Sequence, residues 1–126
     1  MYAMGKPSPQ KEVCLALFQK INQGESKAAS SVEVLQEILH RYRSIQKFLE
    51  GIKVYDLFRA LPLQWLDVTL QDVDLARSLL DENRRLSSRD ALHLAMMQRH
   101  KIEKIVSYDK GFLGLKGITV CLPDQI

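Results

Sequence analysis

The chain has 126 residues, of which 46% are hydrophobic and 26% are charged, and its formal net charge is +3. These values are ordinary for one soluble globular domain, which at this length can fold without disulfides or a structural metal. No apolar run is long enough for a membrane helix, and the first ten residues lack the pattern of a signal peptide. Cys14 and Cys121 lie far apart without metal-ligand spacing, so we expect free thiols in a cytoplasmic protein.

The residue pattern of the first half of the chain predicts three helices and a very short strand. Ser8-Pro9 has the residues of a helix start, and Gly24 is expected to end that helix. A short strand follows at 27–29, and the spacing of Ser30 and Glu33 predicts a capping box at the start of the second helix. Gly51 is expected to separate the second helix from the third, which Pro62 closes. The core faces of these two helices are predicted at Leu35, Ile38, Leu39 and Tyr42, and at Val54, Leu57, Phe58 and Leu61.

The second half predicts strands and helices in alternation. Apolar and polar residues alternate over 65–70, which indicates a strand. Capping patterns at 69–72 and 87–90 then open two helices, the second of which runs to about His100 with Met96-Met97 in the core. Short apolar strands are predicted at 102–106 and 118–122. The helix that begins at 69–72 has its core face predicted at Val73, Ala76 and Leu80.

Short apolar strands separated by helices are typical of parallel strands that helices cover on both faces. The expected fold class is therefore α/β.

Three acids are candidates for a functional site, and each also has a structural explanation. Glu37 can form a surface ion pair with Arg41, one helical turn later. Asp90 stands in the first turn of its helix, where backbone donors and the helix dipole favour a carboxylate. Asp109 follows a buried-looking strand and can be a turn residue, although ligands of parallel α/β sheets bind beyond the carboxyl ends of strands. Ser107, two residues earlier, is on the same face of that strand.

Two other interpretations remain open at this point. Glu37 with His40, and Asp90 with His93, have the i, i+3 spacing of helical di-iron ligands, but the predicted strands argue against a four-helix bundle. Basic residues near the acids in sequence are explained by solvated helix faces or by a rim that holds phosphates. They are Arg41, Arg43, Arg84, Arg85, Arg89, Arg99, Lys101, Lys104 and Lys110.

Three segments carry a resemblance to a known family: SSVEVLQEILHRY at 30–42, LSSRDALHLAMMQRH at 86–100 and KIEKIVSYDKGF at 101–112. The chain resembles the PIN-domain family, and within it the small bacterial and archaeal toxin ribonucleases called VapC-like. The resemblance implies one PIN-like domain over 1–126 that lacks the family's first strand. Its expected fold is a three-layer α/β/α arrangement with a short central parallel sheet and helices on both faces.

The resemblance also implies an activity, which is the metal-dependent cleavage of RNA phosphodiester bonds by the toxin of a toxin–antitoxin pair. The family's metal-binding acids fall on Glu37, Asp90 and Asp109, and its hydroxyl position falls on Ser107. The implied cofactor is Mg²⁺ or Mn²⁺, and the implied partners are RNA, an antitoxin protein and a second copy of the chain. The candidates for contacts with flanking RNA phosphates are Arg41, Arg89 and Lys110.

One family acid has no counterpart. Family members begin with a strand that ends in an aspartate, whereas no Asp or Glu precedes Glu12 here. We expect a start codon assigned too late, because the later caps, apolar stripes and acids are intact; a truncated copy lacking the first strand is the alternative. In that case the chain is a non-catalytic PIN module that binds RNA or a protein partner without cleavage.

Overall fold

The described part of the chain consists of helices interspersed with short strands. The computed structural model describes residues 9–25, 27–106, 112, 115 and 117–122, with side chains from residue 15 onward. Within these residues, the elements are α1 Pro9–Asn22, β1 Ala29–Ser31, α2 Val32–Ser44, α3 Phe48–Arg59, β2 Gln64–Leu66, α4 Leu70–Glu82, α5 Ser88–Arg99, β3 Lys104–Val106 and β4 Thr119–Cys121. None of the helices in these ranges has the length and apolar character needed to cross a membrane.

The helix starts follow the capping residues closely. Thr69 and Asp72 form a reciprocal capping box at the start of α4, and the Oγ of Ser87 accepts the backbone N–H of Asp90 at the start of α5. The cap of α2 differs from the prediction by one position, because Ser31 rather than Ser30 accepts the N–H of Glu33. Each cap satisfies backbone donors that the first turn of a helix leaves unpaired.

The described strands pair in parallel, as the alternation of strands and helices predicted. β1 pairs with β2 in the register Ala29 to Gln64, and β3 pairs with β4 in the register Lys104 to Thr119. The strand predicted over 65–70 is shorter and ends at Leu66. The strand cannot extend to residue 70, because Thr69 caps α4 and the helix begins at Leu70.

The chain divides into two units, Met1–Asp67 and Val68–Ile126. In the first unit, α2 packs against α3 around Ile38, Tyr42 and Val54. The ring of Phe58 makes edge contacts with Phe18 and Trp65, at centroid distances of 6.0 and 5.7 Å. One PIN-like domain over 1–126 stays a prediction.

The break between α2 and α3 is not at Gly51, so that prediction was wrong. Gly51 is buried inside α3, and a Cβ added to it would lie 2.5 Å from the Cβ of Tyr42 on α2. The chain instead turns at 45–47, where Gln46 has a φ of 60°. Glycine at position 51 therefore allows close helix packing rather than a break. The core stripe of α3 also differs, since Leu57 is 57% exposed.

The second unit has its core between α4 and α5. Its buried members are Ala76, Leu79, Leu86, Ala91, Leu94 and Ala95. The predicted face of α4 was wrong in one respect, because Val73 is 50% exposed and the neighbouring Asp72 is only 1% exposed. A tertiary contact of Asp72, described below, explains this rotation. Met96 and Met97 are buried, as predicted.

Candidate functional site

Glu37 lies in the middle of α2, in the first unit. Its helix begins at the Ser31 cap and buries Leu35, Ile38 and Tyr42. The predicted surface position of Glu37 differs from the structure, because its side chain is half-buried, whereas Leu39 of the predicted core face is 36% exposed. The buried face is therefore rotated toward Glu37.

Arg41, the candidate phosphate contact on α2, is exposed in the last turn of that helix. Its carbonyl oxygen accepts the Ser44 hydroxyl at 2.7 Å and the Ile45 N–H at 3.2 Å. The backbone of Arg41 thus closes the helix, and its side chain faces solvent.

Asp90 is the third residue of α5, in the second unit. Its backbone N–H donates to the Ser87 Oγ at 3.1 Å, so the residue is fixed by its main chain while its side chain is half-buried. The next residue, Ala91, is fully buried in the core of the unit. Arg89, the second candidate phosphate contact, is exposed beside it. The helix start therefore places a carboxylate next to solvent on a rigid element.

The other predicted site residues, Ser107, Asp109 and Lys110, lie outside the described residues. They directly follow β3, which ends at Val106. The structure fixes Glu37 within the first unit and Asp90 within the second. Among the described residues, no group of three or more His, Cys, Asp or Glu is arranged to hold a metal ion. The donor chemistry of Glu37 and Asp90 nevertheless fits Mg²⁺ or Mn²⁺, because both are hard cations that prefer carboxylate oxygens.

A buried ion pair in the second unit was missed by the sequence analysis. Arg99 donates from Nε to Asp72 Oδ1 at 2.6 Å and from Nη2 to Asp72 Oδ2 at 3.0 Å. We had grouped Arg99 with the candidate rim of basic residues, and this contact shows that it joins α5 to α4 instead. The pKa of Asp72 lies below its usual value, mainly because of the hydrogen bond from Arg99, with a further contribution from Thr69. The Thr69 cap was visible in the sequence, but nothing in the spacing linked Asp72 to a residue 27 positions later.

A small cavity of about 210 Å³ lies beside this ion pair and is lined by Gln71, Asp72, Leu75, Gln98 and Arg99. It is smaller than a usual small-molecule site.

Both α2 and α5 lie within a region that matches a known protein family. A family model described as "PIN domain" matches residues 1–117. The chain belongs to the PIN-domain family. The resemblance deduced from residues 30–42 and 86–112 is thereby confirmed, and the match covers every predicted site residue.

Similar proteins in this family are named as ribonucleases. The chain is 35% identical over 118 residues to ribonuclease VapC13 of Mycobacterium tuberculosis, which covers 94% of this chain and 90% of the relative. It is 30% identical over 109 residues to ribonuclease VapC23 of the same species, with 86% of each chain covered. These similarities place the chain among VapC-like PIN proteins.

A solved structure supports the fold. A chain of a toxin–antitoxin complex from Klebsiella pneumoniae superposes with a TM-score of 0.57 at 17% sequence identity, over 91% of this chain and 95% of that one. The helices and short parallel strands of the described residues agree with the three-layer α/β/α PIN fold. The predicted fold class is therefore confirmed.

Proposed function

We propose that this protein is a metal-dependent endoribonuclease and the toxin of a toxin–antitoxin pair. The observation that carries the proposal is the similarity, over 94% of the chain, to a protein named as a VapC ribonuclease. A fold shared with a chain of a toxin–antitoxin complex supports the second part of it. The proposed partners are an RNA substrate, a cognate antitoxin protein and a second copy of the chain, in the cytoplasm.

In this proposal, Glu37, Asp90 and Asp109 hold Mg²⁺ or Mn²⁺ through their carboxylate oxygens. When bound, the cation supplies positive charge for the attacked phosphate and lowers the pKa of a water molecule. The hydroxyl of Ser107 orders a water molecule by a hydrogen bond. Arg41, Arg89 and Lys110 neutralise neighbouring phosphates, which positions the scissile bond for in-line hydrolysis.

The test is the variant Asp90→Asn, assayed for RNA cleavage with Mg²⁺ and for stability without metal. Cleavage should fall by about 100-fold or more, because an amide is a poorer ligand for a hard cation than a carboxylate. The free energy of unfolding should stay within about 0.5 kcal/mol or rise, since the helix cap uses the backbone N–H of Asp90 and not its carboxylate.

Ser87→Ala is the matched control, because it removes the cap and leaves the carboxylate. It should lower the free energy of unfolding by about 1 kcal/mol and preserve most of the cleavage. If Asp90→Asn loses about 1 kcal/mol of stability and keeps full cleavage, Asp90 is a capping residue and its assignment to the metal site is wrong.

A further inference from the structure

The turn between α4 and α5 presents two adjacent arginines, Arg84 and Arg85. Asn83 closes the turn, since its carbonyl accepts the N–H of Leu86 at 3.2 Å and its side-chain Oδ1 accepts the N–H of Arg85 at 3.3 Å. Both arginine side chains are exposed. The hydrogen bonds therefore hold the backbone beneath two solvent-facing guanidinium groups.

Leu86 anchors this turn by packing its side chain in the core of the second unit. Its side chain is only 7% exposed and belongs to the same buried cluster as Leu79, Ala91 and Leu94. The next residue, Ser87, caps α5 through the N–H of Asp90. The two arginines and Asp90 are thus attached to one rigid corner, at the same end of α5.

Within the residues that the structure describes, no carboxylate pairs with the charges of this turn. In the described parts of the chain, neither Arg84 nor Arg85 forms an ion pair. The carboxylate of Asp81 is already bonded to Arg77 at 2.9 Å, and the segment 83–89 contains three arginines and no acid. Glu82, which is exposed, is the acid closest in sequence. Two adjacent exposed guanidinium groups, without an ion-pair partner among the described residues, favour an anion with several oxygens.

We propose that the Arg84-Arg85 turn binds the phosphate backbone of RNA on the side of the substrate held near Asp90. This inference rests on the proposed ribonuclease function and adds binding residues to it. Nucleic acid fits the turn better than a protein partner does, because phosphates need only the two charges, whereas a protein interface combines arginine anchors with an apolar core. The only apolar side chain of the turn, Leu86, is already inside the core.

The test is the salt dependence of RNA binding, measured by fluorescence anisotropy with a labelled single-stranded RNA oligomer and EDTA. EDTA separates binding from metal-dependent cleavage. In the variant Arg84→Gln/Arg85→Gln, the slope of log K against log salt should become shallower by about 1.4, which corresponds to two lost phosphate contacts on single-stranded RNA. Affinity near 0.15 M salt should fall by roughly tenfold. Arg84→Lys/Arg85→Lys should keep most of the slope, because it keeps both charges.

Lys27→Gln/Lys53→Gln is the matched control, since both lysines are exposed and the net charge changes by the same amount. It should keep the wild-type slope, and each variant should unfold within about 0.5 kcal/mol of wild type. An unchanged slope in the arginine variant, or an equal change in the lysine control, would overturn the inference while leaving the proposed function intact. If the wild type binds no RNA in EDTA, the inference fails, whereas the proposed function is tested separately by cleavage with Mg²⁺. If the arginine variant binds RNA normally but loses inhibition by an antitoxin, the turn is a protein-docking element and the RNA inference is wrong.

Discussion

At the scale of single residues, Asp72 combines two structural roles. One carboxylate oxygen, Oδ2, accepts the backbone N–H of Thr69 at 2.9 Å, which caps α4. The same carboxylate accepts two hydrogen bonds from Arg99, at the end of α5. A carboxylate that is 1% exposed needs this degree of compensation, because burial of an unpaired charge is strongly unfavourable. Asp72 thereby ties the start of one helix to the end of the next.

Removal of Arg99 should destabilise the protein far more than removal of an exposed arginine. Arg99→Ala leaves the buried Asp72 carboxylate without its main partner, so we expect a loss of about 3 kcal/mol. Arg77→Ala removes an exposed helix pair of 2.9 Å, between Arg77 and Asp81, and should cost less than about 0.5 kcal/mol. Urea unfolding of both variants measures the difference. Equal losses would mean that the buried pair contributes no more than a surface pair.

The same ion pair predicts a loss of stability in acid. The pKa of Asp72 is lowered in the folded protein, so the unfolded state binds more protons as the pH falls below about 4. The stabilisation is complete above the pKa of the unfolded carboxyl, and it is lost as the pH drops through the folded pKa. The difference in unfolding free energy between the wild type and Asp72→Asn should therefore shrink between pH 5 and lower pH values. A difference that stays constant over this range would contradict the proposed coupling.

At the scale of elements, the glycine in the α2–α3 hairpin lies inside a helix and does not end one. Glycine often marks a helix end, yet Gly51 lies within α3 where the helix meets Tyr42 of α2. The helices break at Gln46 instead, a non-glycine residue with positive φ. The close packing of α2 against α3 requires glycine at position 51, so the break between the helices lies at Gln46 and not at Gly51.

Gly51→Ala should therefore destabilise the protein, although alanine is the better helix former by about 1 kcal/mol. The new methyl group would lie 2.5 Å from the Tyr42 Cβ, an atom close to the backbone that cannot rotate away. We expect a net loss of about 1–3 kcal/mol, as for overpacked cores, measured by thermal or urea unfolding. Lys53→Ala, at an exposed position of the same helix, should change stability by less than about 0.5 kcal/mol. A stabilised Gly51→Ala variant would show that the two helices separate easily.

At the scale of the whole molecule, the proposed site draws its acids from distant parts of the chain. Glu37 lies in the first unit, and Asp90 lies in the second. In the proposed function, a bound cation would stabilise the folded state, because the unfolded chain does not hold the proposed acids together. Metal binding and stability are therefore linked in this proposal.

We expect Mg²⁺ at ten times its dissociation constant to raise the free energy of unfolding by about 1.4 kcal/mol. The melting temperature should then rise by roughly 4–6 °C. Glu37→Gln should remove this gain, whereas Glu50→Gln, on the exposed face of α3, should keep it. The measurement is thermal unfolding at increasing Mg²⁺ concentration. A gain that persists in Glu37→Gln would exclude Glu37 as a metal ligand.

The sequence by itself determined the α/β class, the parallel pairing and the family, together with most helix starts. These features depend on local information: caps such as Thr69 with Asp72, the alternation of short apolar strands with helices, and the motif around Asp90. The prediction of Asp90 at the start of a helix was confirmed for the same reason. Its role as a metal ligand, with Glu37 and Asp109, stays a prediction.

Only the tertiary structure decided the features that join residues far apart in sequence. The pairing of Asp72 with Arg99, the contact of Gly51 with Tyr42, and the burial of Leu86 beneath the arginine turn each depend on which helix faces lie together. Helical periodicity predicted Val73 in the core of α4. It did not predict Asp72 there, because a carboxylate is costly to bury alone. Arg99 reversed that preference by supplying the missing charge and hydrogen bonds, and no local pattern records a partner 27 residues away.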